Sequence, residues 1–179
     1  MDKIIERYKP ELVKILFVGE APGAVAPGAA APGAVAPVPA KNKHFYLANT
    51  NLYRTINTAF EQVFGKFNSA EEFLGFFQSM GFYLDHLSRT AIDKTDAAHR
   101  KAARQNAVFS LSERLKIYQP EVVIILMKDI QKQVAEAVEI SGISSVRLIT
   151  AVPYPAGSDT NKRNCIAAIV SLLKNEEVD

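Results

Sequence analysis

Residues 12–23 read LVKILFVGEAPG, an apolar run that closes on a glycine and an acidic, proline-bearing turn. Its large aliphatic residues follow one another without the polar alternation of a half-exposed strand, so both faces of this strand need cover. EVVIILM (residues 121–127) repeats the pattern, VRLITAV (146–152) is another strand, and FYLDHLSRTA (82–91) reads as a strand and its outgoing loop. The segments between have helical periodicity. Leu52, Ile56, Ala59, Phe60 and Val63 fall on one face of residues 52–64, and Ser69 precedes AEEFLGFFQSMG, with acidic residues in the first turn and a terminating Gly81. Further helices are expected over residues 2–10, 96–118, 130–140 and 165–174. Strands alternating with helices predict an α/β fold, a three-layer α/β/α sandwich around a central, mostly parallel sheet of about four strands. Ligands of such sheets bind beyond the carboxyl ends of the strands. That selects GEAPG after the first strand, LDHLSRTAID (84–93) after the second and PYPAGSD (153–159) after the last.

The bulk numbers narrow the class. A chain of 179 residues is most simply a single domain, residues 1–179, and 48% hydrophobic with 22% charged residues is ordinary for a globular protein. A net charge of +2 provides no global field for nucleic acid, so any basic surface is local. The one cysteine, Cys165, excludes an intramolecular disulfide framework and an all-cysteine metal or iron–sulfur site, and His44, His86 and His99 lack zinc-ligand spacing. No metal and no cofactor are expected. There is no leader-like segment and no membrane-length apolar run, so a cytoplasmic monomer is expected. Residues 24–40 nearly repeat APGAVAP, carry little large apolar surface and read as a flexible Ala/Pro/Gly insert leaving the first strand exit.

At the strand exits the chain resembles the uracil-DNA glycosylase superfamily. Gly19-Glu20-Ala21-Pro22-Gly23 matches a first motif of the G-x-x-P-G type, in the form found in the thermostable iron–sulfur branch. Tyr154-Pro155-Ala156-Gly157 stands where the family has N-P-S-G or H-P-S-P. HFYLANTNLYRTI (44–56) is similar to a stretch of the mismatch-specific branch, and RLKIYQPEVVIILMKDI (114–130) to the segment before the last motif. The resemblance covers most of the chain outside the insert, in the family's order. It implies a protein acting on DNA, single-stranded or mismatched.

Breaking a base–sugar bond puts positive charge on the sugar and negative charge on the departing base. Such a site uses an anionic or polar group to hold water, donors for the base carbonyl and an aromatic platform for the extruded base. The resemblance implies Glu20 as the water-orienting carboxylate; capping of the next turn is the other reading. Ala21 occupies the place of a water-activating Asp or Asn in other branches, and Pro22 and Gly23 complete the motif. Phe45 falls where the family stacks the base, or it is a core aromatic. Tyr154, in place of His or Asn, is a phenolic donor, with Ala156 and Gly157 beside it. Asp85, His86 and Ser88 lie on the middle exit, where the family recognises the base or holds water. Asn49 and Asn51 either read a base edge or hold the helix start, capping being favoured for Asn51. Ser158, Lys162 and Arg163 sit in the loop that in the family presses on the duplex; a helix cap with a solvated charge run is the alternative. Arg100 and Lys101, beside Arg104, are phosphate contacts or a solvated face. Two functions therefore compete: a glycosylase for uracil or a related damaged base flipped from DNA, and a nucleotide- or DNA-binding protein with eroded hydrolytic groups. A dinucleotide-binding domain fails, since no G-x-G-x-x-G opens a helix after the first strand.

Overall fold

The computed structural model describes residues 2–23 and 43–176, so the insert expected over residues 24–40 lies outside the described residues. Four strands, β1 (Ile15–Gly19), β2 (Phe82–His86), β3 (Val122–Ile125) and β4 (Leu148–Ala151), form one sheet in the order β2-β1-β3-β4. Every neighbouring pair is parallel; Val18 lies opposite both Asp85 and Ile125, and Gly19 opposite His86. The expected three-layer arrangement is present. The central strands β1 and β3, unbroken aliphatic runs, and the edge strand β2 are buried along their whole length, while β4 at the other edge is half-buried throughout.

The helices are α1 (Asp2–Arg7), α2 (Asn51–Phe64), α3 (Ala70–Ser79), α4 (Ala97–Asn106), α5 (Val108–Tyr118), α6 (Gln131–Ser141) and α7 (Asp159–Asn175). Right-handed crossovers that leave β1 first toward β2 and then back past it to β3 and β4 put the helices between β1 and β2 on one face and those between β2 and β4 on the other. Accordingly α2 packs against α7, and α5 against α6. The single helix expected over residues 96–118 is two helices meeting at Ala107. The physical reason is burial. Residues Val108, Leu111, Leu115 and Tyr118 of α5 are buried, whereas α4 buries no residue at all and is free to follow a different direction.

An aromatic cluster fills the space under α2 and α3: Phe17, Phe60, Phe73, Phe77 and Phe82 meet ring to ring at centroid separations of 4.9–6.3 Å. The turn into β2 depends on Gly81, whose φ is +80°. A Cβ there would lie 3.1 Å from the Leu12 carbonyl oxygen and 2.9 Å from Lys14 Cγ. Gly81→Ala is expected to cost about 1–3 kcal/mol of stability, read as a lower urea midpoint at unchanged m-value.

Candidate active site

The chain runs from β1 in one direction to β2 and then crosses to β3 on the other side, so a crevice opens at the carboxyl ends of β1 and β3. Glu20 is the first residue after β1 and sits in that crevice. Its carbonyl accepts from Ser88 N–H at 2.9 Å, and the residue is only 6% exposed. Helix α4 lies over it, opened by Asp96, whose carboxylate accepts from the N–H groups of Ala98 and His99. Positions four apart share a helix face, which brings Arg100 and Arg104 down together. Arg100 donates from Nε to Oε1 and from Nη2 to Oε2 of Glu20, each at 2.7 Å, and Arg104 donates from Nε to Oε1 at 2.6 Å. Lys94 Nζ lies 3.9 Å from Oε2, and Arg104 also reaches Met127 Sδ, just past β3, at 3.6 Å. Burial alone would raise the Glu20 carboxyl; the hydrogen bonds and charges of Arg100 and Arg104 outweigh it and hold the carboxyl below its ordinary value. Glu20 is therefore an ionised, charge-compensated carboxylate.

Beside this cluster, the exits of β3 and β4 border an open cleft of ≈ 540 Å³ lined by Lys94, Arg100, Lys128, Asp129, Tyr154 and Asn161, among others. Tyr154 is 40% exposed there. Partial burial and the charge of Glu20 raise its phenol above the ordinary value, so it is a protonated donor. The second-motif loop is pinned from both sides. Asn51 Nδ2 donates to the Pro155 carbonyl at 2.6 Å, Asn161 Nδ2 donates to the Ala156 carbonyl at 2.8 Å, and Gly157 turns the chain with φ +89°. Ser158 Oγ accepts from Asn161 N–H and caps α7.

Glu20 and Tyr154 thus share Arg100 as a common neighbour at one cleft, with Ala156 on its wall. Other expected residues lie elsewhere. Asp85 is fully buried and does not face this cleft. It holds Arg89 through a 2.7 Å ion pair, Arg114 through a second, the Tyr118 hydroxyl at 2.9 Å and the His86 N–H at 2.7 Å. Arg114 also donates to the carbonyls of His86 and Leu87, so this network locks the β2 exit. Phe45, expected as the stacking floor, is 2% exposed in a 3₁₀ turn, its ring packed against Tyr46, Tyr53, Phe73 and Phe77. An aromatic surrounded by aromatics gains more from the core than from water, and no open ring face remains for a base. Asn51 does not cap α2; Thr50 does, accepting from Tyr53 N–H, which frees Asn51 to tie down the Pro155 carbonyl. Asn49 Oδ1 accepts from His44 N–H at 2.9 Å, bracing the turn that enters the 3₁₀ segment.

His86 is buried with its ring against Gly19, where an added Cβ would meet Cδ2 at 3.1 Å. The His44 ring stands 5.5 Å away, edge to face. Neither His86 Nδ1 nor His44 Nε2 has a hydrogen-bond partner among the described residues. Burial depresses the imidazoles to about 4 for His44 and about 3 for His86, so both are neutral. Of the first motif, Pro22 is buried, Ala21 half-buried and Gly23 exposed, close to the Lys43 carbonyl. Lys101 and Arg163 are exposed and Lys162 half-buried; Arg163 donates to Thr160 Oγ1. Lys94, Met127 and Lys128 were missed from sequence. Only the Arg100–Arg104 spacing on a helix without an apolar stripe signalled a polar partner.

The uracil DNA glycosylase superfamily model matches residues 6–174. The chain belongs to that superfamily. No match was found among curated proteins. Membership supports a DNA glycosylase-like function, with DNA as the partner. Residues 19–23 carry Glu20, residues 154–157 carry Tyr154, and α4 contributes the two arginines that hold Glu20, of which Arg100 also lines the Tyr154 cleft. Among the described residues no three His, Cys, Asp or Glu side chains cluster to hold a metal ion, and no helix is long and apolar enough to cross a membrane.

Proposed function

We propose that this chain hydrolyses the N-glycosidic bond of uracil or a related deaminated base extruded from single-stranded or mismatched DNA. The observation that carries the reading is that Arg100 and Tyr154 line one cleft over the sheet's switch point, with Glu20 held directly behind Arg100. In this reading the C1′–N bond breaks with its electron pair leaving on the base. The Tyr154 hydroxyl donates to the base oxygen that gains charge. Glu20, ionised at neutral pH, faces the cationic sugar and orients the water that adds to C1′, the surplus proton passing to solvent or to the base. Lys94, Lys128 and Arg100 meet the backbone phosphates.

A second reading, a DNA-binding protein without turnover, is favoured by specific features. Glu20 is neutralised by two arginines, which weakens it as a base, Ala21 cannot activate water, and Phe45 is enclosed. Incubation with uracil-containing single-stranded and mismatched oligonucleotides, followed by alkaline cleavage of abasic sites, separates the two. Excision is expected, with the single-turnover rate reduced about 10²-fold in Tyr154→Phe at unchanged melting temperature. Absence of abasic product at enzyme excess, with DNA still bound, would establish the binding function instead.

A further inference from the structure

The charges gathered at Glu20 do not balance. Arg100, Arg104 and Lys94 bring three cations to one carboxylate, an excess of two positive charges (3 − 1) at the edge of the cleft, while Lys128 and Asp129 offset each other across it. A concentrated excess of one sign beside an open concavity attracts a counter-ion. The two arginines are also not equivalent. Arg104 is the deeper, its side chain 13% exposed and its second contact Met127. Arg100 is 25% exposed, lines the cleft and covers both oxygens of Glu20, whose own side chain is 4% exposed. Arg100 is therefore the group between the carboxylate and anything that enters.

We propose that this cleft is a phosphodiester subsite for single-stranded nucleic acid and that Arg100 is its latch. A backbone phosphate takes the Arg100 fork, and Glu20 stays on Arg104 with Oε2 uncovered. The inference rests on the reading of this cleft as the DNA-facing site and adds a positioning role for Arg100. A guanidinium fork fits phosphate as well as carboxylate, so the exchange replaces one bidentate pair with another rather than abandoning it. Lys94 and Lys128, already on the cleft wall, supply the phosphate with further cations. Removal of one cation from a partly buried carboxylate raises its affinity for a proton. Glu20 thus remains quenched until a strand occupies the cleft, and its basicity rises only then.

The test uses the full chain and a short thymine-only single strand, so that it is independent of base excision. By fluorescence anisotropy across a salt series, Arg100→Gln is expected to weaken binding roughly tenfold and to flatten the log K against log salt slope by about 0.7. Lys94→Gln, at a half-exposed position, is expected to act in the same direction, and Arg100→Lys to recover part of the affinity but not the bidentate hold. In carbon NMR of carboxyl-labelled glutamate, assigned with Glu20→Gln, the Glu20 titration midpoint is expected to move up when the strand saturates the protein. It is expected to move up also in strand-free Arg100→Gln. Inorganic phosphate at the same phosphate concentration is expected to leave the midpoint in place. Equal binding by wild type, Arg100→Gln and Lys94→Gln overturns the subsite, an unmoved Glu20 midpoint at saturation overturns the latch, and an equal response to inorganic phosphate overturns the strand as ligand. Each of these outcomes leaves the excision assay with uracil DNA to decide the glycosylase reading separately.

Discussion

Asp85→Ala is expected to destabilise the protein by about 3–5 kcal/mol, because it strips the largely covered Arg89 and Arg114 of their shared, fully buried counter-charge. The Asp85 side chain is 0% exposed and those of Arg89 and Arg114 are 17% and 13% exposed. Burial by itself would raise the Asp85 carboxyl, but the charges of Arg114 and Arg89 and the His86 N–H hold it below its ordinary value, so it is fully ionised in the fold. Tyr118 donates to the same carboxylate, and Arg114 spans the carbonyls of His86 and Leu87, so the loss spreads to the whole β2 exit. For a domain of this size the melting temperature is expected to fall by roughly 10 °C or more. Asp85→Asn retains an oxygen for the His86 N–H and is expected to lose less. Thermal unfolding followed by circular dichroism checks both, and a shift within 1–2 °C for the alanine variant would show that the arginines find other partners.

Stability is also expected to fall steeply as pH drops from about 6.5 to about 4, a range in which most carboxylates are still ionised. The sign follows from His44 and His86. Both titrate near 6.5 when unfolded but are held down, by burial, to about 4 and about 3 in the fold. Below pH 6.5 the unfolded chain takes up protons that the folded chain refuses, so each step down favours unfolding until the folded values are reached. Each unit of depression corresponds to about 1.4 kcal/mol, so even part of these shifts is a large share of the ~5–15 kcal/mol that keeps a domain folded. Glu20 and Asp85 add to the loss at lower pH, where their depressed carboxyls finally protonate. Urea denaturation at a series of pH values checks this. His44→Asn retains an acceptor for the Tyr46 N–H that His44 Nδ1 now receives at 3.3 Å, and His86→Leu replaces a ring nitrogen that has no partner among the described residues. The double variant is expected to flatten the profile between pH 6.5 and 4, and an unchanged slope would mean that the imidazoles charge freely inside the fold.

The chain's own periodicity carried most of the architecture. Continuous aliphatic runs marked the buried strands, Ser69 marked a helix start, and the motif order at the strand exits marked the superfamily, whereas the last helix, expected from Cys165, begins at Asp159 behind the Ser158 cap. These features were legible because each depends on residues within a few positions of one another, where hydrophobic spacing and caps act. The break at Ala107 escaped because α4 and α5 are both helical locally and differ only in what lies beneath them.

The site was legible only in part, and the reason is distance along the chain. Glu20 was visible as an acidic residue after a strand, yet its ionised, shielded state comes from arginines 80 and 84 positions away. Asp85 looked like a site residue beside His86, and Arg114 and Tyr118, 29 and 33 positions on, make it a structural anchor. Phe45 had the family's position but lies among rings from α2 and α3, which no local pattern reveals. Sequence alone determined the elements, their order and the exits where chemistry gathers, because burial of a strand or helix is written in its own spacing. Tertiary structure decided which polar groups meet and which are spent on the fold, because pairing of charges depends on where separate elements are packed.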